Sequence, residues 1–401
     1  MRPGPIATFM SLMTKKGVAS LAALALYLLV ILLVNYHAPV YRRFSSLPTA
    51  YVRYERAEVL SVEDESLSRD AASGLDLGYE DVRLRLLSGE HRGEVVAVKN
   101  TLSYSNNVRA RVGSEVIACV DTADRSTYDV WIYGYSRGPF LYLFCGLFMA
   151  ALCVIGGRRG VRSVLGIAFT LTGIAFVFIP LLYRGVSPAI AASGLVAVTL
   201  CVSLVLLGGA TAKTLAAILG TLAGVTVSAI ALAAALHFTH LSGFSTGEAD
   251  ALVQIGGATH MKVGELLFAG ILISSLGAII DVAISIASSV NEVHARNRAL
   301  TTRELFRSGM NVGRDMMGAM ANTLIIAFTG TSLNVLVLLY SMSVTYLQLM
   351  NTNLIGIYVV QAISGAIAIV FTVPLVSFVA SRLIPALGRG VNEDLTLSSA
   401  A

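Results

Sequence analysis

The sequence predicts a polytopic α-helical membrane protein, with about eight transmembrane helices and one small all-β domain outside the membrane. Two observations predict this class. First, 55% of the 401 residues are hydrophobic and only 13% are charged, and the mean hydropathy of +0.74 is far above that of a soluble chain. Second, the charge is concentrated: residues 36–137 hold 13 of the 29 Lys and Arg and 15 of the 24 Asp and Glu.

The chain begins with a short basic segment, residues 1–17, which we expect in the cytoplasm. An apolar run over 18–35 follows, with the length of a short membrane helix. Because no clear cleavage site comes after it, we expect an uncleaved anchor rather than a signal peptide.

Residues 36–137 contain short runs of alternating hydrophobicity that are separated by Gly, Asn and Asp. The runs lie at 57–64, 81–89, 93–100, 114–121 and 128–135. This pattern predicts a small β-barrel of the OB or SH3 kind. Nothing in it has catalytic spacing. The aromatic residues near Trp131 alternate with the strand, so packing is their default role and a ligand-binding face is the alternative.

The membrane domain is expected over 138–386, followed by a cytoplasmic tail at 387–401. Seven apolar runs have the length of membrane helices; they lie at 139–157, 163–183, 188–207, 213–237, 263–290, 315–341 and 355–384. With the N-terminus inside, the short inner loops carry 14 Lys and Arg and the short outer loops carry two. The positive-inside rule therefore predicts cytoplasmic termini and a β domain on the other side.

A polar stripe marks the helix predicted over 263–290. Small and polar residues recur there at steps of three and four, so they share one helix face; they are Gly270, Ser274, Gly277, Asp281, Ser285, Ser288 and Glu292. A carboxylate within a span costs at least ~2.5–3.5 kcal/mol. Asp281 is therefore expected to serve a function, whereas the small residues are better explained by close helix packing.

A second stripe lies on the next span, at Asn311, Asp315, Gly318, Asn322 and Thr329. In an antiparallel hairpin, Asp281 and Asn322 reach similar depths, and Asp315 and Glu292 lie nearer the inner rim. We expect these groups to line one inward-opening cavity. For Asp315 the alternative is a cap at the helix N-terminus.

The loop between the two stripes carries a capping box, with Thr301 as N-cap and Glu304 three residues later. It predicts a short amphipathic inside helix near 302–310. Gly309 and Gly313 are expected to loosen the backbone after it, and Gly330 is a further candidate for a broken helix. Gly277 is expected as a structural turn in the preceding span. An inside turn is expected at Gly208 and Gly209, with Lys213 as a headgroup anchor.

Composition and motifs also exclude several classes. The basic residues are spread over loops, so no nucleic-acid partner is expected. The four cysteines, Cys119, Cys145, Cys153 and Cys201, form neither a disulfide framework nor a metal motif. No metal, no cofactor and no catalytic residue are expected, and an intramembrane enzyme is disfavoured because no nucleophile–base pair is visible.

Several stretches resemble the YibE/F-like family of bacterial multi-pass membrane proteins. They are LLSGEHRGEVVAVKNTL at 86–102, LLGGATAKTLAAILGTLAGV at 206–225, LGAIIDVAISIASSVNEV at 276–293 and LFRSGMNVGRDMMGAMANTLIIAF at 305–328. The resemblance implies the bacterial cytoplasmic membrane and no defined activity. Its motif positions fall on Gly277, Asp281, Gly309, Gly313, Arg314, Asp315, Asn322 and Thr323, with Gly208, Gly209 and Lys213 in the earlier loop.

Two functions stay open. One is a permease for a small solute or ion, in which Asp281 binds a proton or cation and Asn322, Ser285 and Ser288 supply neutral oxygens. The other is a non-transport membrane protein whose β domain binds a partner or an envelope component. The expected partners are the lipid bilayer and an unknown solute or ion, and the sequence leaves room for a homo-oligomer.

Overall fold

The computed structural model describes residues 27–36, 51–122 and 128–399, without the side chains of Ala258 and of residues 388–399. The chain divides into two compact units, Pro39–Ala151 and the remainder. The expected N-terminal segment 1–17, the first half of the anchor and the last two residues lie outside the described part. Within it, the anchor forms helix α1, Tyr27–Tyr36.

The first unit contains one antiparallel sheet, curled into a half-barrel. Its strands are β1 (Val52–Arg69), β2 (Asp76–Leu86), β3 (Val95–Leu102), β4 (Glu115–Asp121) and β5 (Asp129–Tyr135). They pair in the order β3-β2-β1-β4-β5, and the edge strands β3 and β5 also contact each other. All five expected strands are present, because each alternating run buries its apolar side in a common core around Val59, Leu84 and Ala118.

A buried carboxylate joins three parts of this half-barrel. Glu80 is fully buried; its Oε2 accepts hydrogen bonds from Asn100 Nδ2 at 3.0 Å and from the Ala110 amide at 3.0 Å. Its Oε1 lies 3.7 Å from Arg109 Nε. Arg109 also pairs with Asp76 at 2.8 Å. The network fixes the segment after β3 against β2 and leaves the charge of Glu80 compensated.

A second polar cluster lies in the β2–β3 loop and at the start of β5. The Tyr128 hydroxyl donates a hydrogen bond to Glu94 Oε2, and the His91 ring stacks on Tyr128 at 4.1 Å. The Tyr128 and His91 hydrogen bonds lower the pKa of Glu94; the bond to Glu94 raises the pKa of Tyr128 to about 12. The cluster therefore adds stability that is lost as pH falls through the lowered Glu94 value or rises through about 12.

The second unit is helical. After α1, its helices are α2 (Gly138–Gly173), α3 (Ile179–Tyr183), α4 (Pro188–Gly208), α5 (Ala212–Thr239), α6 (Ala249–Thr259), α7 (Leu266–Ser274), α8 (Leu276–Arg296), α9 (Thr302–Thr331), α10 (Leu333–Ser341), α11 (Tyr346–Met350) and α12 (Asn353–Ser399). Among the described residues, five helical stretches are long and apolar enough to cross a membrane, or six if the bent pair α9–α10 forms one span.

One stretch differs from the two spans expected at 139–157 and 163–183. Residues Gly138–Tyr183 form a helical run of 46 residues without an intervening loop. At ~1.5 Å per residue, its length is about twice the thickness of the hydrocarbon core. The run is interrupted at Gly157, where φ is 53° and ψ is −132°. A β-carbon at Gly160 would lie 1.8 Å from the Leu152 carbonyl oxygen. The backbone therefore bends sharply where the inside loop was expected.

The other differences concern helix continuity. The capping box is present, since Thr301 and Glu304 exchange both hydrogen bonds. However, α9 continues from Thr302 to Thr331, so the amphipathic segment near 302–310 is its first part and not a separate helix. The break comes after Thr331, where α9 and α10 meet at 57°. The helix break expected at Gly330 is therefore within two residues of the observed one. The break expected at Gly309–Gly313 is wrong, because α9 is continuous there.

The core of the helical unit forms around α8, which contacts α4, α5, α9 and α12. The closest helix pair is α5 with α12, because glycines face side chains there: a β-carbon at Gly220 would lie 2.6 Å from Val376 Cα, and one at Gly224 would lie 2.4 Å from Thr372 Oγ1. Small residues thus let these two backbones approach each other closely, as is common between membrane helices.

The Glu80 network yields a stability prediction. Replacing Glu80 by alanine leaves Asn100, the Ala110 amide and Arg109 without their carboxylate. We expect the unfolding free energy of the β domain to fall by about 2–3 kcal/mol, because Arg109 keeps part of its hydration. Trp131 is the single tryptophan and lies in β5, so its fluorescence during a urea titration of the full-length protein reports this domain.

The matched control is Glu63→Ala. Glu63 pairs with Arg83 at 2.6 Å, but both side chains are about half exposed, so the loss should be about 0–1 kcal/mol. Equal losses in the two variants would show that the buried network contributes nothing special.

Candidate functional site

The α8 helix separates an apolar face from a polar one. Its buried residues, among them Ile279, Val282 and Ile286, pack into the bundle core. The opposite side carries the expected stripe, which begins in α7 with the exposed residues Gly270 and Ser274. In α8, Gly277 and Asp281 are exposed, and Ser285 and Ser288 are half-buried. The stripe therefore lies on the outer surface of the chain and does not face the bundle interior.

Asp281 has no polar partner in the described part of the chain. No hydrogen bond or ion pair joins its carboxylate to another described group, and the same holds for Asp315 and Asn322. Glu292, near the end of α8, instead pairs with Arg296 at 3.2 Å one turn later. Asp281 is thus an ionisable group within an apolar helix, and none of the described residues meets its requirement for water or a partner.

Gly309 and Gly313 have a packing role. A β-carbon at Gly309 would lie 2.9 Å from Ser377 Oγ and 3.0 Å from Val290 Cγ2. One at Gly313 would lie 2.3 Å from Val373 Cγ1. Both are buried inside the continuous helix α9. The interpretation of Gly309 and Gly313 as turn residues is therefore wrong. Gly277 lies in the first turn of α8, two residues after the cap residue Ser275.

The expected turn at Gly208 and Gly209 is present. Helix α4 ends at Gly208, and Gly209 adopts φ 72°, a conformation that favours glycine. Thr211 then caps α5 by accepting a hydrogen bond from the Thr214 amide.

The polar residues of α9 lie opposite its packing side. Asn311, Asp315, Asn322 and Thr323 are exposed, and Thr323 Oγ1 donates to the Ala319 carbonyl within the helix at 2.9 Å. Asp315 lies more than three turns after the start of α9 at Thr302. The alternative of a helix cap for Asp315 therefore fails, because a cap acts on the first turn.

Packing contacts fix the relative depth of the two stripes. Gly313 meets Ile286 across the antiparallel pair α8–α9, with 3.1 Å from an added β-carbon to Ile286 Cδ1. Counting ~1.5 Å per residue from this crossing places Asp281 level with Gly318. On the same count, Asp315 lies ~5 Å to one side of that level and Asn322 ~6 Å to the other.

On this count Asp281, Asp315 and Asn322 lie within ~11 Å of depth, but the described residues of the two stripes do not by themselves form the expected inward-opening cavity. Asp281, Ser285 and Ser288 follow the outer face of α8, and Asp315, Asn322 and Thr323 follow the outer face of α9. Among the described residues, no group of three His, Cys, Asp or Glu is arranged to hold a metal.

Sequence reasoning missed two polar features. Glu265 Oε2 accepts hydrogen bonds from the Ser187 hydroxyl and, at 3.3 Å, from the Ala189 amide, so it caps α4 from a distant part of the chain. Thr221, Thr372 and Ser377 are fully buried between helices, and each bonds to a carbonyl of its own helix. No local signal marks Glu265, whereas the buried hydroxyls follow the small-residue pattern of α5 and α12.

The fold and this polar face define a class, that of a helical membrane protein with an antiparallel β domain near its N-terminus. Within this class the chain belongs to the YibE/F-like protein family, whose model matches residues 144–386. That range contains α8, α9 and every residue of the candidate site. No curated protein and no solved structure matches the chain.

The role of Gly313 can be tested by adding one methyl group. Gly313→Ala forces a β-carbon against Val373 and Ile286, and we expect overpacking to cost about 1–3 kcal/mol, which outweighs the ~1 kcal/mol that alanine gains in a helix. The melting temperature in detergent, followed by circular dichroism, should fall.

The control is Gly194→Ala in α4, where nothing lies within 4 Å of an added β-carbon. That variant should be as stable as the original protein or more stable. If Gly313→Ala has the same melting temperature as Gly194→Ala, the close-packing role of Gly313 is contradicted.

Proposed function

We propose that the protein is a permease that moves a small solute or ion along the polar face of α8 and α9. Asp281 binds a proton or a cation, and Ser285, Ser288 and Asn322 supply neutral oxygens on the same path. No covalent chemistry and no cofactor are part of this proposal. The observation that carries it is the unpartnered carboxylate of Asp281 in the middle of an apolar helix.

The cost of that carboxylate supports the proposal. Placing a charged aspartate at the centre of a span costs at least ~2.5–3.5 kcal/mol, and such residues mark ion and proton pathways more often than structural sites. Serine and asparagine beside it offer oxygens of the kind that hard cations prefer. Glu292 and Asp315 would then attract cations to the inner end of the path.

The bend between α9 and α10 is a second support. Helices of transporters are often interrupted near their substrate sites, because the unwound backbone offers polar groups to the substrate. Ser332 lies at the bend, and its amide bonds to the Phe328 carbonyl at 3.1 Å. The polar side of α9 ends at Thr329, just before this interruption.

The proposed arrangement in the membrane follows the charge distribution. Eight spans with both termini in the cytoplasm keep 14 Lys and Arg in the short inner loops. Gly138–Tyr183 then crosses twice, with its bend at Gly157 and the neighbouring Arg158 and Arg159 inside. The β domain lies outside, and the membrane is the cytoplasmic membrane of a bacterium.

The experiment is a pair of thermal melts on purified full-length protein, the original and Asp281→Asn. Each is measured across the pH range around neutrality with sodium, potassium, magnesium, manganese or zinc. A ligand at a hundredfold excess over its Kd stabilises the folded state by about 2.7 kcal/mol. We expect one ion, or a change in pH, to raise the melting temperature of the original protein, and Asp281→Asn to lose that response.

Asp250→Asn is the matched control, because Asp250 is exposed in the first turn of α6 and lies outside the proposed path. It should respond as the original protein does. If no ion and no change in pH shifts either protein, and Asp281→Asn is equally stable, the proposed site is wrong.

A second candidate function rests on the β domain. Tyr54 and Tyr133 meet edge to face at 4.7 Å on the outer side of the sheet, both about 60% exposed, and Trp131 is 40% exposed nearby. Exposed aromatic residues of this kind are enriched at binding surfaces. In this alternative the β domain binds a partner or an envelope component, and the helical stripe only holds helices together.

The two candidates differ in which variants matter. A double variant Tyr54→Ser with Tyr133→Ser should abolish a cellular function that depends on the β domain, while Asp281→Asn leaves it intact. If the protein is a permease, Asp281→Asn should abolish the cellular function and the double tyrosine variant should leave it intact. Trp131 fluorescence in urea checks that the double variant still folds.

A further inference from the structure

The polar face of α8 differs from the other outer faces of the bundle. The outer faces of α4, α5 and α12 expose many large apolar residues and no carboxylate within the apolar part of the span, as lipid requires; the apolar residues include Ile190, Val198, Leu219, Ile230, Val370 and Phe378. On the span formed by α7 and α8, the exposed residues of the stripe are instead Gly270 and Ser274 in α7 and Gly277 and Asp281 in α8. Nothing lies within 4 Å of a β-carbon added at Gly270 or Gly277, so the described part of the chain does not itself cover this face.

The charges beside that face are of both signs. Arg314, exposed on α9, has no ion pair with any other described residue. The Gly313–Ile286 contact puts Arg314 level with Ser285, about 6 Å along the helix from Asp281. A side chain of Arg reaches this far. A face with an unpaired carboxylate and an unpaired guanidinium at nearly the same depth is complementary to a second copy of itself.

We infer that a second copy of this chain covers the polar face, and that the proposed path runs between the two copies. A two-fold axis along the membrane normal puts equal residues at equal depth. Arg314 of one copy then approaches Asp281 of the other when no proton or cation is bound there. The small residues Gly270 and Ser274 in α7 and Gly277 in α8 let the two copies come close. The inference deepens the proposed function, since neither copy alone encloses the path.

Cross-linking within the membrane tests this arrangement. The four native cysteines are replaced by alanine, and one cysteine is introduced at Gly277 or, as the control, at Ile230, which is 66% exposed on the apolar side of α5. After mild oxidation of membranes, we expect Gly277→Cys to form a disulfide-linked dimer several-fold more than Ile230→Cys. Equal cross-linking at both positions, or none, overturns the inference.

Mass measurements on the protein in nanodiscs provide a second readout that does not need the cysteine-free background. The original protein should have the mass of two chains. Gly277→Trp should have the mass of one, whereas Ile230→Trp stays dimeric. Arg314→Glu should reduce the dimer several-fold, and Arg314→Lys should retain it. A single-chain mass for the original protein, or a cross-link from Gly277 to a different protein or to the chain's own N-terminal segment, contradicts the inference.

The outcome is separable from that of the proposed function. A dimer whose Asp281→Asn variant keeps every response to ions and pH would support the interface and reject the permease site. An ion response that needs Asp281 in a protein of single-chain mass would keep the site and reject the second copy.

Discussion

The structure of the helical unit depends on one constraint: the hydrocarbon core of a membrane contains no water to pair with polar groups. In a helix, the backbone amides and carbonyls form hydrogen bonds with each other. The hydroxyls of serine and threonine can also donate to a carbonyl of their own helix. Thr221, Thr372 and Ser377 each donate to the carbonyl four residues earlier. A hydroxyl bonded to its own helix can be buried at little cost. Thr372 can therefore face Gly224 where α5 and α12 approach closely, and Ser377 can face Gly309 between α12 and α9.

An ionised carboxylate has no proton to donate to a carbonyl of its own helix. Carboxylates in the chain therefore need partners from elsewhere, whereas buried hydroxyls do not. Glu80 in the β domain is buried, and it is compensated by an amide side chain, a backbone amide and a guanidinium. Glu265 is compensated at the N-terminus of α4. Asp281 has no such set among the described residues. Its environment must come from outside the described part of the chain, as water, an ion or another protein surface.

The sequence predicts much of the fold because periodicity reports which side of an element is buried. The five strands were expected from alternating runs, and α4 and α5 agree with the expected spans to within a few residues. Periodicity also identified the polar stripe of α8. It does not report what a face packs against, so the stripe was expected to line a cavity inside the bundle although it lies on the outside. The cap by Glu265 is a tertiary contact without any local signal.

Glycine illustrates the same limit. Gly309, Gly313 and Gly277 have one sequence signature, a glycine three or four residues from other small residues, and all three were expected in loosened backbone. Gly309 and Gly313 instead lie within α9 and pack against Ser377 and Val373 of α12. The third has open space around it. A glycine in a helix costs about 0.5–1 kcal/mol relative to alanine, and close packing within the chain offsets this at Gly309 and Gly313. At Gly277 no contact within the described chain offsets this cost. The same signature therefore marks both a packed glycine and an open one, and only the tertiary structure separates them.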